Sequence, residues 1–406
     1  MEPIRFADIL FIFLTLAITF TILWFVKKAK RKPQQTPEDN QSESSESVNP
    51  EKKEDLSMLT SNGFSFPEFN PDCSSLLCRH LSKQTFEELK NKITGNGFTF
   101  YQAIKSGIVN QDSSVGVYAG DAESYPLFSP LFDPIIADYH GFSSTDTHRS
   151  DLDPKNLSAV NPDPDGQFIL STRIRVGRNV AEMPLGPAVS REQRNSIEVQ
   201  VSDSLRNLSG ELSGTYYPLL GMDETVQNQL IADHFLFKAG DRFLDAAGLN
   251  RDWPEGRGIF HNREKTFLVW VNEEDQLRII SMQQGGDIEA VFSRLMKAVK
   301  EIEKSVAFMF DRRLGYLTSC PSNLGTAMRA SVHIRLPKLA ADMATFKKIT
   351  DAHHLQIRGI HGEHSESESG VFDVSNRRRL GVTEVECVQD MYNGVVALIR
   401  GEKELE

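Results

Sequence analysis

The sequence predicts an α+β fold, with two folded regions behind a single membrane-spanning helix. Three observations carry that expectation. Strand-like runs at 266–271 and 278–282 are separated by one short turn, which implies a hairpin and therefore an antiparallel sheet with helices around it. Capped amphipathic helical patterns occur before, between and after such runs. Near the N-terminus, residues 9–26 form an apolar run without charge, interrupted only by three threonines.

That run comes first in the chain. At about 1.5 Å per residue it nearly crosses a hydrocarbon core of roughly 30 Å, and Trp24 sits near one end, where an indole suits the interface. Lys27, Lys28, Lys30, Arg31 and Lys32 follow directly, so the positive-inside rule puts that end in the cytoplasm and residues 1–8 on the far side. The expectation is a single-pass membrane protein with its folded regions cytoplasmic. A cleaved secretory signal would want basic residues before the run and a small-residue site after it. Here Arg5 alone precedes it and no such site ends it. A mitochondrial presequence would be amphipathic, whereas this run is apolar all round. Residues 27–58, basic and then rich in Ser, Glu, Pro and Asn, read as a disordered tether that cannot bury enough apolar surface to fold.

Helical periodicity begins near Phe64. Ser82 before Phe86, Leu89 and Ile93 marks a capped helix, and Tyr101, Ile104 and Ile108 mark another, so 60–145 reads as a small, mostly helical domain. A Pro-, Asp- and Asn-rich linker follows at 146–166. The rest, 167–406, mixes types. Strand text occurs at 168–176, 266–271, 278–282 and 330–336. Helices open at the capping boxes Ser190/Gln193 and Thr383/Glu386, and another covers 289–302.

Composition excludes several functions. There are 45 Lys+Arg against 56 Asp+Glu, a net charge of −11, which argues against a nucleic-acid partner but not against a locally bound anion. Four cysteines make no disulfide framework, and Cys73 and Cys78 have no second pair at zinc spacing, so no structural metal site is expected.

The chemistry-bearing residues are arginines on strand-like text. Arg173 and Arg175 lie two apart, on one strand face; Arg278 and Arg329 adjoin two further strands, and Arg358 precedes Gly359. Arginine among Ile, Leu and Val is expensive to bury unless an anion pairs it, and a guanidinium fits phosphate bidentately. Any one of them alone reads first as a surface or salt-bridged residue; taken as a set, they read as readily as an anion site. No Walker loop and no protein-kinase glycine loop is present, so a nucleotide would have to be held mainly by arginines.

Longer segments decide the reading. CPSNLGTAMRASVHIRLPKL (320–339), STRIRVGR (171–178), KTFLVWVNEEDQLRIISMQQGGD (265–287) and RGIHGEHSESESGVFDVSNRRRLG (358–381) resemble the signatures of the guanidino (phosphagen) kinases, and the likeness runs from about residue 65 to the C-terminus. The resemblance implies a small all-helical N-terminal domain, a larger domain with an antiparallel sheet flanked by helices, and reversible transfer of the γ-phosphoryl group of Mg-ATP to a guanidinium. It implies ATP contacts from Ser171, Thr172, Arg173, Ile174, Arg175, His234, Arg278, Arg329, Ala330, Ser331, Val332, His333, Arg358, Gly359, Ile360, His361, Gly362 and Glu363. Mg²⁺ would be held by phosphate oxygens and water, with Glu273 and Asp275 at most in the outer sphere, so no dedicated metal cage is expected.

Glu274 and Glu363 match the two carboxylates that orient the guanidinium. Cys320 matches the cysteine beside it, where a thiolate would complement the charge. The loop of Ser113, Ser114, Val115, Gly116, Val117 and Tyr118 is short, similar to the arginine kinase form, and would take the amino-acid end of L-arginine. Arg242 is placed to pair with Asp112 across the domains. Ser114 and His361 depart from the arginine kinase pattern, which expects glycine and arginine there. The reading is therefore an anchored arginine kinase buffering ATP locally. Alternatives are a kinase for taurocyamine or another small guanidine, and an inactive anchored scaffold. Monomer and dimer stay open, as does the choice of membrane.

Overall fold

The computed structural model describes residues 64–359 and 370–405, all within one compact unit. Its helical part begins where serine and threonine hydroxyls take up orphan backbone N–H groups. Helices α1 (Leu76–His80), α2 (Lys83–Leu89) and α3 (Phe100–Val109) start at Ser75, Ser82 and Thr99, whose hydroxyls accept from Cys78, Thr85 and Gln102 respectively. Two further helices follow, α4 (Ser124–Leu127) and α5 (Ser129–His140). Helices this short are marginal alone. Their stability comes from buried Phe86, Phe100, Phe128 and Phe132, whose rings meet at edge-on or tilted angles.

The larger part is built on an eight-stranded sheet. Its strands are β1 (Ile169–Arg178), β2 (Gly214–Pro218), β3 (Gly258–Asn262), β4 (Phe267–Val271), β5 (Leu277–Gln284), β8 (Met328–Arg335), β9 (Leu355–Arg358) and β10 (Val371–Asn376). The pair β6 (Phe310–Asp311) and β7 (Gly315–Tyr316) stands apart as a small hairpin. Strand order is β2-β3-β4-β5-β1-β8-β10-β9, with every neighbour antiparallel. The two faces of the sheet differ. Helices α6 (Arg191–Arg206), α9 (Ile288–Glu303) and α12 (Glu384–Glu404) cover one, burying Ile174, Val176, Ile279, Val332 and Val374 beneath them. On the other, α7 (Glu224–Ala232) seals only the β3–β5 end, through Leu230 against Ile259, Leu268, Trp270 and Ile280. Beyond that seal the same face carries the charged residues. Three short helices complete the fold: α8 (Arg242–Ala246) packs on α3, while α10 (Pro337–Ala341) and α11 (Met343–Ala352) pack near α12 and β9.

The two parts share apolar contacts. The helical core continues into Leu185, Leu249, Leu317, Cys320 and Leu324 of the sheet domain, so one buried cluster spans both. Segment 146–166 is fastened along its length. Ser150 Oγ and Asp151 N both donate to Glu384 at 2.9 and 3.0 Å, Gln389 exchanges two bonds with the backbone of Ser158, and the carboxylate of Asp163 accepts from Gln167, Phe168 and Ile169 at the start of β1. Polar composition suggested a linker because these acids and amides are polar; in the fold they serve as backbone caps.

One expectation is corrected. The fold was expected to follow a transmembrane helix in a single-pass membrane protein, yet no helix among the described residues is long and apolar enough to cross a membrane. The longest, α12, has 21 residues but is amphipathic, with Glu386, Asp390 and Arg400 set among its apolar positions. The stretches read as an extracytoplasmic end (1–8), a spanning run (9–26) and a tether (27–58) lie outside the described residues. Membrane anchoring and cytoplasmic placement are accordingly set aside.

Phe292 on α9 is fully buried against the sheet. Phe292→Ala should therefore cost about 3–5 kcal/mol, seen as a lower urea midpoint with an unchanged denaturant slope.

Candidate active site

Strand alternation puts arginines together. On β1 the side chains of Thr172, Ile174 and Val176 face the helices, while those of Arg173 and Arg175 face the opposite way. Antiparallel register sets Arg175 directly opposite Arg329 of β8, and Arg173 opposite Met282 of β5. Arg278 opens β5 on the same face, and Arg358 closes β9 opposite Asp373 of β10. Like charges in facing cross-strand positions repel. Burial, and then the neighbouring Arg278 and Arg329, hold the Arg173 guanidinium down to about 10. Arg175 is lowered further, by burial and then by Arg278, Arg173 and Arg329. Arg329 also falls to about 10 through burial, although Asp373 opposes the fall.

A few groups hold the cluster in place. Trp270, on β4 opposite Arg278, lies beneath two guanidinium groups: Arg278 at 5.2 Å and Arg173 at 5.6 Å from the ring centroid. Arg329 donates to Asp373 at 2.9 Å and to Ser375 at 3.1 Å. The Arg173 Nε is buried and has no hydrogen-bond partner, and neither does the other oxygen of Asp373. Arg278 pairs with Glu273 at 2.9 Å and Glu274 at 3.2 Å. Burial works against its charge, yet Glu273, Glu274 and Asp275 outweigh that and raise it.

The acidic turn after β4 is rigidly built. Asn272 takes the left-handed conformation, φ 57°, and its amide donates to the carbonyls of Arg194 and Gly256. Asp275 points inward, accepting from Asn179 at 2.8 Å and from the backbone N–H of Ser319 at 2.9 Å, while Ser319 Oγ donates to the carbonyl of Glu274. These bonds tie the Glu273–Glu274 turn to the loop of Cys320. Burial, then the charge of Asp275, pushes the Glu274 carboxyl up to about 7 against the pull of Arg278. Cys320 is pushed up to about 12 by burial and then by Glu274, although Ser322 Oγ sits 3.1 Å away. Burial therefore works against the thiolate that the resemblance implies.

The helical part reaches this place through the 113–118 loop. Tyr118 is buried within electrostatic reach of Cys320 and Glu274, and Ala119 N donates to Ser319 O at 2.8 Å. Val115 and Val117 point into the helical core, and the N–H of Ser113 is turned to Asn110 O. Ser114 is exposed, and its carbonyl accepts from Leu76 N at 3.0 Å. The loop can pack so closely because of glycine: Gly116 has φ +85°, and a Cβ on Gly107 would fall 2.3 Å from Gly116 O. Arg242 holds Asp112 with two hydrogen bonds, one of 2.8 Å, joining the loop to α8. With the two side chains 56% and 63% exposed, solvent screens this pair and leaves it little weight in stability, so its effect is alignment.

Not every expected contact residue lies on the charged face. Arg173, Arg175, Arg278, Arg329 and Arg358 share it with Ser171, Ser331 and His333, and His234, which is exposed, acts electrostatically on His333. Thr172, Ile174, Ala330 and Val332 turn their side chains toward the helices, leaving only their backbone on the cluster's side. Ile360, His361, Gly362 and Glu363 lie outside the described residues. Arg178, the last arginine of the STRIRVGR run, faces the core, where it donates to Thr326 O at 3.0 Å and stacks on Tyr316. Sequence reasoning missed Trp270, Asn179, Asp373 and Arg379. The Arg379 guanidinium donates to the carbonyl of Ser322 and to Asn323 beside Cys320. For Trp270 a signal existed, since pairing 266–271 with 278–282 as a hairpin brings it opposite Arg278. Among the described residues no three His, Cys, Asp or Glu side chains gather as a metal site.

Comparison with known proteins agrees with this geometry. Residues 71–137 match the ATP:guanido phosphotransferase N-terminal domain and residues 196–405 the C-terminal catalytic domain. The sequence is 55% identical to arginine kinase Lit v 2 of Penaeus vannamei over 345 residues, 84% of this chain and 97% of that protein. It is 56% identical to an arginine kinase of Anthopleura japonica over 344 residues, 83% of this chain but only 48% of that longer relative. Among solved structures, a lombricine kinase superposes with TM-score 0.78 at 41% identity, covering 84% of this chain and 94% of that one. The duplicated taurocyamine kinase of Schistosoma mansoni superposes with 0.77 at 44%, covering 82% and 47%. The chain belongs to the ATP:guanido phosphotransferases, the phosphagen kinases, and is an enzyme of that class.

The raised Glu274 carboxyl has a consequence for stability. Folding lifts it from 4.5 to about 7, so its contribution is full below pH 4.5 and lost as pH rises through about 7. Glu274→Gln should melt above the parent protein near pH 8, with the gap closing near pH 4, in parallel thermal scans.

Proposed function

We propose that the enzyme is an arginine kinase, moving the γ-phosphoryl group of Mg-ATP reversibly to the guanidinium of L-arginine to give phosphoarginine and ADP, and so buffering ATP. One observation carries the reading: an arginine face with an unpartnered buried Nε adjoins a carboxylate turn, and Tyr118 of the 113–118 loop lies within electrostatic reach of that turn. Arg173, Arg175, Arg278, Arg329 and Arg358 would clamp the phosphates, whose negative charge removes the mutual repulsion of the cluster. His234 and His333 would border the adenosine. Bound with the nucleotide, Mg²⁺ would neutralise phosphate charge, held mostly by phosphate oxygens and water.

Glu274, with Glu363 as its expected counterpart, would fix the guanidinium plane and take up its proton as the N–P bond forms. A carboxyl near 7 is suited to that exchange at neutral pH. Cys320 would sit beside the guanidinium, and Ser113 to Tyr118 would enclose the amino-acid end. The curated relatives named arginine kinases support arginine. The lombricine and taurocyamine kinase structures support a second reading, a kinase for taurocyamine or another small guanidine, and Ser114 leaves room for it.

ATP-dependent phosphorylation across a panel of free guanidines tests the substrate. Arginine should give the highest kcat/KM; a preference for taurocyamine or lombricine would overturn the assignment, and no turnover of any guanidine would overturn the reaction. Glu274→Gln should lower kcat by about 10²–10⁴. In the forward direction the parent rate should rise through about pH 7 as Glu274 ionises, and that limb should vanish in Glu274→Gln.

A further inference from the structure

Three of the four cysteines have no part in the proposed chemistry, and two of them lie at the root of the 113–118 loop. Cys73 and Cys78 are half-buried and free. Cys78 sits in α1 and donates its N–H to Ser75 Oγ at 3.1 Å, while the Cys73 Sγ lies 3.4 Å from that same hydroxyl. Both residues thus gather on one serine hydroxyl, and the Cys73 thiol adds to burial in raising that of Cys78. No other pair of free cysteines among the described residues is placed so: Cys320 and Cys387 are each buried, and their hydrogen-bond partners include Ser322 and Thr326.

What Cys73 touches matters. Its thiol donates to the carbonyl of Gln111 at 3.2 Å. The Gln111 side chain in turn accepts from Asn70 N at 2.6 Å and donates to Glu68 O at 3.0 Å, pinning the 68–73 arm to the chain. Asp112, the partner of Arg242, comes next in sequence, followed by the 113–118 loop. From the opposite side, α1 holds that loop through Leu76 N to Ser114 O and Leu77 N to Val115 O, at 3.0 and 2.9 Å. The dithiol therefore straddles the two attachments of the loop, one running through Cys73 and the other through the helix that carries Cys78.

We propose that Cys73 and Cys78 form a reversible redox pair that closes to an intrachain disulfide by exchange with a low-molecular-weight disulfide, and that closure loosens the 113–118 loop. The thiolate of Cys73 attacks a sulfur of the small disulfide, forming a mixed disulfide and expelling one thiolate. The thiolate of Cys78 then attacks the Cys73 sulfur, forming the protein S–S bond and expelling the second. Two protein thiols are oxidised, the small disulfide is reduced to two thiols, and the two protons leave with them. Closure draws the sulfurs to about 2.05 Å and removes the S–H that Gln111 O accepts. The consequence falls on the guanidine end of the site and leaves the arginine face untouched. This effect on substrate rests on the reading of 113–118 as the guanidine loop; formation of the disulfide does not.

The test treats the full chain with oxidised glutathione and follows it by peptide mass spectrometry and kinetics. A peptide spanning residues 73–78 should lose two hydrogens and recover them with dithiothreitol. The oxidised protein should show KM for its preferred guanidine raised about threefold, roughly the effect of one weak hydrogen bond, with KM for ATP unchanged. Cys73→Ser should abolish both changes, and Cys78→Ser should stop at a glutathione adduct on Cys73 with no loss of two hydrogens; mapping the Cys320 peptide separately identifies any loss arising there. In the parent protein, a glutathione adduct that persists on Cys73 or Cys78 without closure would overturn the redox pair. Closure with an unchanged guanidine KM, or with a changed KM for ATP, would overturn its coupling to the loop. A protein that turns over no guanidine but still closes the disulfide would refute the substrate reading and this coupling, while leaving the redox pair standing.

Discussion

Mutual repulsion among arginines on one sheet face is the constraint around which the rest of this structure is arranged. Arg175 faces Arg329 across two strands, with Arg173 and Arg278 close by; Arg329 is buried and the other three are half-buried. Such a set is tolerable only because its surroundings supply compensation: the Trp270 ring beneath two of them, Asp373 against Arg329, and Glu273 with Glu274 against Arg278. Compensation is incomplete, as the unpartnered Arg173 Nε shows. The fold thus carries a preorganised excess of positive potential, which the polyphosphate of the proposed reaction would relieve.

The remaining architecture isolates and aims that potential. The helices sit on the opposite face, so the apolar core and the charged face share one sheet without mixing. At the edge of the cluster the carboxylate turn is held through Asp275, Asn179 and Ser319, which connects Glu274 to the Cys320 loop and, by Ala119, to the helical part. Positioning of the acceptor end therefore depends on contacts between the two parts of the molecule. The continuous apolar cluster that joins them makes this a property of the whole described fold.

Much of the site was legible because it obeys local periodicity. Arg173 and Arg175 are two apart on a strand, and a period of two places them on one face whatever the tertiary structure. The same period turns Thr172 and Ile174 away from it, so including them among nucleotide contacts follows motif membership and not side-chain direction. Ser190 and Thr383 were readable as helix starts for a similarly local reason, since a capping box closes within four residues. Asp373 escaped notice because it is far from Arg329 in sequence; only the β8–β10 pairing brings them together.

By itself the sequence determined the α+β class, the strand face of the arginines, the helix caps and, through long motif resemblance, the phosphagen kinase family. These depend on spacings of a few residues or on contiguous text. Tertiary structure alone decided which arginines repel, which carboxylate is raised toward neutrality, that Arg178 belongs to the core, and that Cys73 and Cys78 gather on Ser75 beside the 113–118 loop. Each of those depends on burial and on charges brought close by chain folding, because desolvation and Coulomb energies follow distance and surroundings in space, quantities a linear order of residues does not contain.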